Sequence, residues 1–182
     1  SSGATAFQWS VSPSAGVNIS SATANSPNIT FPENNTTTPI EYTVTLVATA
    51  NGCTDQTEQK ILILPQPVVD FTLDKNEGCG PLTVVFTNTS DGRNGNGRTG
   101  MTWVWKVDGA TVGTDENMTR LFPNNGQTVL TYTVELTGKT ADGCEEVSTQ
   151  KTVTVFPDAK ADFNVSGNTV ACAPFALGPN VT

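Results

Sequence analysis

Four cysteines, a few clustered carboxylates and no histidine are the reactive inventory of this 182-residue sequence. Without histidine there is no Ser-His-Asp or Cys-His nucleophile system, no His-ligated zinc, and no side chain that ordinarily titrates near neutral pH. Cys53, Cys79, Cys144 and Cys172 lack the CxxC spacing of a metal site, so they point to disulfides formed in an oxidising compartment. Asp108, Asp115 and Glu116 are the carboxylates whose clustering could hold calcium, the plainer reading being solvated loop side chains. The run DGRNGNG at 91–97 places its acid and amides at positions 1, 4 and 6 rather than 1, 3 and 5 of a calcium loop, and reads as a flexible connection. Nothing in the pattern sets two carboxylates on one concave face, as glycoside hydrolysis needs. The chain is expected to be non-catalytic, with no cofactor beyond calcium at that acidic cluster.

The elements that carry these residues read as strands throughout. Only 14% of residues are charged, Thr and Asn are abundant, and no helical periodicity is present. This is the composition of an extracellular all-β protein. Nine Lys and Arg against seventeen Asp and Glu give a net charge of −8, which repels phosphate backbones and anionic bilayers, so neither nucleic acid nor a membrane is an expected partner. No run of about 18 apolar residues occurs, and the opening SSGATAFQWS has no signal-peptide pattern, so the sequence reads as an excerpt of a longer secreted chain.

A pattern repeats after about 92 residues. EYTVTLVATANGC (41–53) returns as TYTVELTGKTADGC (131–144), Phe31-Pro32 as Phe122-Pro123, Val69-Asp70-Phe71 as Ala161-Asp162-Phe163, and Cys79-Gly80-Pro81-Leu82 as Cys172-Ala173-Pro174-Phe175. Such a period suits a sandwich domain of about 100 residues rather than a solenoid unit. Pro-rich junctions at 64–69 and 156–162 bound one complete copy. The division is therefore 1–64, a partial domain with strands C to G; 65–157, a complete domain; and 158–182, a partial domain with strands A and B. Alternation turns Val69, Phe71 and Leu73 inward on A, Leu82, Val84 and Phe86 on B, and Met101, Trp103, Trp105 and Val107 on C. Strand F contributes Tyr132, Val134 and Leu136, and G contributes Val153 and Val155. Trp9 and Trp105 share a face with Val11 and Val107, which favours core packing over ligand stacking. Tyr42 and Tyr132 begin the F strands, where Ig-like sandwiches often place a tyrosine whose hydroxyl bonds nearby backbone; a merely core-facing tyrosine is the other reading.

PLTVVFTNTS, WVWKVDG and TYTVELTGKTADG together resemble the polycystic-kidney-disease (PKD) repeat, whose signature runs PLTVxFxxxS, xWxFGDG, YTVTLTVTNxxG. The FGDG turn departs from it, reading Val107-Asp108-Gly109-Ala110 in the complete copy and Val11-Ser12-Pro13-Ser14 in the first. The Cys-x-Pro before strand B and the Asn-Gly-Cys after strand F are similar to those of large bacterial surface adhesins and gliding-associated proteins exported by the type IX secretion route. The resemblance implies tandem Ig-like β-sandwiches at the bacterial outer surface, serving as stalk or filament of an adhesin. Expected partners are neighbouring repeats of the same or an identical chain. The alternatives are a module that binds polysaccharide or protein, and a polymer subunit in which the A–B hairpin of one molecule completes the C–G piece of the next. Strands A to B and F to G turn at opposite ends of such a sandwich, so pairing of Cys79 with Cys144 inside one copy is strained. The cysteines are expected to staple domains, the A–B cysteine of one repeat meeting the F–G cysteine of the next.

Overall fold

In the computed structural model, residues 1–2, 94, 96, 166–169, 171, 175–178 and 182 fall outside the described part, and the description covers all others. Every regular element among the described residues is a strand. The first stretch holds β1 (Ala6–Ser12), β2 (Asn18–Ile19), β3 (Ile29–Thr30), β4 (Ile40–Ala50) and β5 (Cys53–Ile63). The middle stretch holds β6 (Phe71–Leu73), β7 (Glu77–Cys79), β8 (Leu82–Asn88), β9 (Thr102–Val107), β10 (Ala110–Gly113), β11 (Met118–Phe122), β12 (Leu130–Lys139), β13 (Glu145–Val147) and β14 (Lys151–Phe156). The last holds β15 (Phe163–Val165) and β16 (Pro179–Val181).

Between residues 68 and 156 the chain is an Ig-like β-sandwich. One sheet runs β10-β9-β12-β14-β7 with β13 beside β12, and the other runs β11-β8-β6. Alternation drives the layering: β8 is buried at every second residue, Leu82, Val84, Phe86 and Asn88, and exposed between them. Trp105 of β9 fills the centre at 0% exposure, with Phe71 edge-on at 5.0 Å and Phe86 at 5.8 Å between ring centroids. Leu73 packs only at the rim of this core.

Two elements of this sandwich have no counterpart in the sequence pattern. β7 pairs parallel with β14, Glu77 opposite Thr154 and Cys79 opposite Phe156. β13 folds back on the far end of β12, Glu145 opposite Lys139. Each is three residues long, too short for a period-two pattern: β7 exists because the distant β14 supplies its hydrogen bonds, and β13 because the chain turns back on β12 across residues 140–144.

The first stretch builds a three-stranded sheet of the same kind. β1 pairs with β4 and β4 with β5, aligning Trp9, Leu46 and Thr57 across one face and Val11, Val44 and Gln59 beside them. Among the described residues, the Ala22 and Ala24 carbonyls accept from Trp9, and the Phe31 ring lies 5.0 Å from Tyr42. Trp9, Val44 and Leu46 are half-buried, whereas their counterparts Trp105, Val134 and Leu136 are fully buried. In the last stretch β15 and β16 form a hairpin with Phe163 opposite Val181, the register that sets Phe71 opposite Asn88 in the sandwich.

Candidate functional site

The acidic cluster does not assemble. Asp108 and Gly109 take positive φ (49° and 77°) to turn the β9–β10 hairpin, and Asp108 Oδ1 accepts from the Thr133 amide at 2.8 Å and its hydroxyl at 3.0 Å. Glu116 accepts from Arg98 Nε at 2.7 Å, and Asp115 offers its backbone carbonyl to the Trp105 indole N–H at 2.9 Å. Among the described residues no three Asp, Glu, Cys or His side chains are grouped as metal ligands. The Asp108 and Glu116 carboxylates each have a protein partner, and Asp115 contributes a backbone carbonyl to the Trp105 indole. In the loop opened by Asp91, Oδ1 accepts from the Arg93 amide at 2.9 Å; positions 94 and 96 lie outside the described residues.

The four cysteines are free thiols. No disulfide joins them in this structure, and within the middle copy the strand geometry keeps the two cysteines apart. Cys79 sits beside Phe156, where the chain leaves the sandwich, while Cys144 follows the far end of β12. The nine steps of β12 separate these ends by about 30 Å, far beyond the 7 Å or so that a disulfide spans between Cα atoms. Cys53 opens β5, ten residues from Ile63, at the end of the strand away from the junction. No two cysteines of this sequence occupy the A–B position of one repeat and the F–G position of the next.

The aromatic residues serve packing. Tyr42 is 3% exposed. Tyr132, half-buried, lies 5.0 Å from the Phe122 ring and its hydroxyl donates to the Pro123 carbonyl at 3.2 Å. The Trp9 indole N–H donates to the Ala24 carbonyl at 2.9 Å, matching the Trp105 indole bond to the Asp115 carbonyl. Two buried asparagines escaped sequence reasoning. Asn124 donates from Nδ2 to the Thr128 and Val155 carbonyls at 2.8 and 2.9 Å, and Asn34 does the same to Thr38 and Ile63. Both belong to the repeated Phe-Pro motif, and that recurrence was the available signal.

The junction between the first stretch and the sandwich is held by polar contacts. Gln66 donates from Nε2 to the Glu145 carbonyl at 2.8 Å and to Glu146 Oε2 at 3.1 Å, and from its backbone to the Asn34 carbonyl. Arg93 donates to the Asn35 carbonyl at 3.0 Å. Beside it Lys151 bridges Asp70 at 2.7 Å, lies over the Phe71 ring at 4.7 Å and donates to the Phe71 carbonyl. That lysine hydrogen bond, with a bond from the Phe71 amide, holds the Asp70 carboxyl below its ordinary range against a smaller opposing effect of burial.

No protein-family model matches the sequence, and no curated protein matches it. Among solved structures, the chain is similar to the fibronectin(III)-like modules of Clostridium thermocellum CbhA, at 15% identity and a TM-score of 0.39, over 85% of this chain and 78% of that one. It is also similar to a SusE-like surface located polysaccharide binding protein from the Bacteroides thetaiotaomicron heparin utilisation locus, at 13% identity and a TM-score of 0.32. This second likeness covers 87% of the chain but spans only 30% of that protein. At these scores neither likeness bears on function.

Proposed function

We propose that this chain is a non-catalytic, load-bearing segment of tandem PKD-like β-sandwiches, divided at 64/65 and 157/158, from the stalk or filament of a bacterial cell-surface adhesin of the type IX-exported kind. The observation that carries the reading is the parallel pairing of β7 with β14 at the end where the chain leaves the sandwich, extended by bonds from Thr154 N–H to Asn76 and from Gly80 N–H to the Phe156 carbonyl. The chain comes in at Val68, at the opposite end. Tension along the chain therefore pulls a segment near its start and its last strand past each other, loading their hydrogen bonds together in shear rather than opening them one by one. The absence of histidine and the separate pairing of the carboxylates support the non-catalytic part. Among the described residues, the most exposed large apolar side chains include neither Trp nor Tyr.

Single-molecule pulling from the two termini tests this. The middle sandwich is expected to unfold in one cooperative force peak well above that of an unzipping hairpin. Unfolding at hairpin-like force, or saturable binding of an immobilised polysaccharide, would replace the stalk reading with a recognition module.

A further inference from the structure

The segment that enters the middle sandwich runs beside its last strand and meets it at two levels. At the exit end β7 pairs with β14, Cys79 opposite Phe156. At the entry end the meeting is made by one side chain. Lys151, the first residue of β14, reaches across to the facing sheet, where its ammonium bridges Asp70 Oδ1 at 2.7 Å, donates to the Phe71 carbonyl and lies 4.7 Å from the centre of the Phe71 ring. All three contacts fall on the start of β6. Among the described residues, the other long-range polar contacts of Asp70 and Phe71 go to β8 and the residues just beyond it. The Asp70 amide donates to Ser90 Oγ at 3.1 Å, the Thr89 amide donates to the Asp70 carbonyl at 2.9 Å, and Phe71 stands opposite Asn88. A cation is not what the sheet of β14 itself requires at this place. The same register position of the first copy, opposite Val44 as Lys151 is opposite Val134, holds Gln59.

We infer that Lys151 is a latch that ties the entering strand β6 to the last strand β14, so that the β6–β8 and β7–β14 pairings open as one unit. The inference rests on the load-bearing reading above and names the side chain that makes the two pairings share a load. With the latch removed, β6 is held by β8 and by its own packing, and it can come away while β7 stays in place on β14. A half-exposed ion pair adds little to global stability, yet it decides which parts of the sandwich open together.

Native-state hydrogen exchange of the whole 182-residue chain, read at single amides, tests this. The Thr89 and Asp74 amides, bonded to the Asp70 and Val85 carbonyls, report on β6; the Gly80 and Thr154 amides, bonded to the Phe156 and Asn76 carbonyls, report on β7 with β14. In the unaltered chain the two groups are expected to open at one common rate. Lys151→Met, which keeps an apolar stem over Phe71, should speed exchange of the β6 group about three- to tenfold, the scale of a half-exposed ion pair with one added hydrogen bond, and leave the β7 group unchanged. Asp70→Asn removes the charge at the more exposed end of the pair and should split the two groups in the same sense, so the test does not depend on how methionine packs. Equal acceleration of both groups in either variant, no acceleration of the β6 group, or separate opening already in the unaltered chain would overturn the latch. The load-bearing reading is judged by the force peak of the unaltered chain and survives each of those results.

Discussion

Asp70 shows at residue scale how a motif reads in sequence and acts in structure. It appeared as the middle of a repeated Val-Asp-Phe and Ala-Asp-Phe; in the fold it anchors Lys151 across two strands. Its folded carboxyl titrates below its unfolded value, chiefly through the Lys151 hydrogen bond, so it adds stability that is present above the unfolded range and is lost as pH falls through the folded one. Asp74, held low chiefly by the Val85 amide, and Glu135, held low chiefly by Gln150, act with the same sign. The chain is therefore expected to lose stability on acidification below about pH 4. Asp70→Asn should flatten that loss, lowering the denaturant midpoint at neutral pH more than at pH near 3. Chemical denaturation of both proteins at the two pH values checks this, and parallel curves would refute the assignment. The side chain is about half exposed, so the effect is modest.

Elements are matched to each other by volume as well as by polarity. Gly138 of β12 stands opposite Trp103 of β9, and a methyl group there would lie 2.6 Å from the indole and 2.8 Å from a Val69 methyl. In the first copy the same pair of positions holds Ala48 opposite Phe7, a larger residue facing a smaller ring. Gly138→Ala is expected to destabilise the middle sandwich by about 1–3 kcal/mol through overpacking. The double change Gly138→Ala with Trp103→Phe, which imports the pairing of the first copy, should recover part of the loss. Thermal melts of the single and double variants measure the recovery, and additive losses would show that the two positions do not trade volume.

For the whole molecule, stiffness is decided at the junction. Gln66 and Arg93 tie the first stretch to the sandwich through Glu145, Glu146 and Asn35, contacts made by loops around a Pro-containing linker. They are exposed and polar, so they orient neighbours without adding much to the stability of either. Removing both, in Gln66→Ala with Arg93→Ala, should leave the melting temperature within about 2 °C, a shift of well under 1 kcal/mol. The angular spread between the two parts, read by small-angle scattering, should widen. An unchanged scattering profile would move the source of rigidity to the prolines themselves.

Period-two alternation alone placed the buried side chains of β8, β9, β12 and β14, because a strand with one face on a core must repeat every second residue and a slip of one would expose the whole set. The repeat located equivalent positions for the same reason, down to the matching registers of β6–β8 and β15–β16. What sequence could not decide were features without local period: the three-residue β7 and β13, the carbonyl-capping asparagines Asn34 and Asn124, and the junction contacts of Gln66 and Arg93. All but β13 depend on groups tens of residues away in the chain, and β13 rests on a short turn back to β12. Nearness in sequence likewise did not reveal that Thr133 and Arg98 would bond Asp108 and Glu116. Only the tertiary structure decided the degree of burial, with Trp105, Val134 and Leu136 fully buried and Trp9, Val44 and Leu46 half-buried, because burial is set by the neighbours that distant parts of the chain supply.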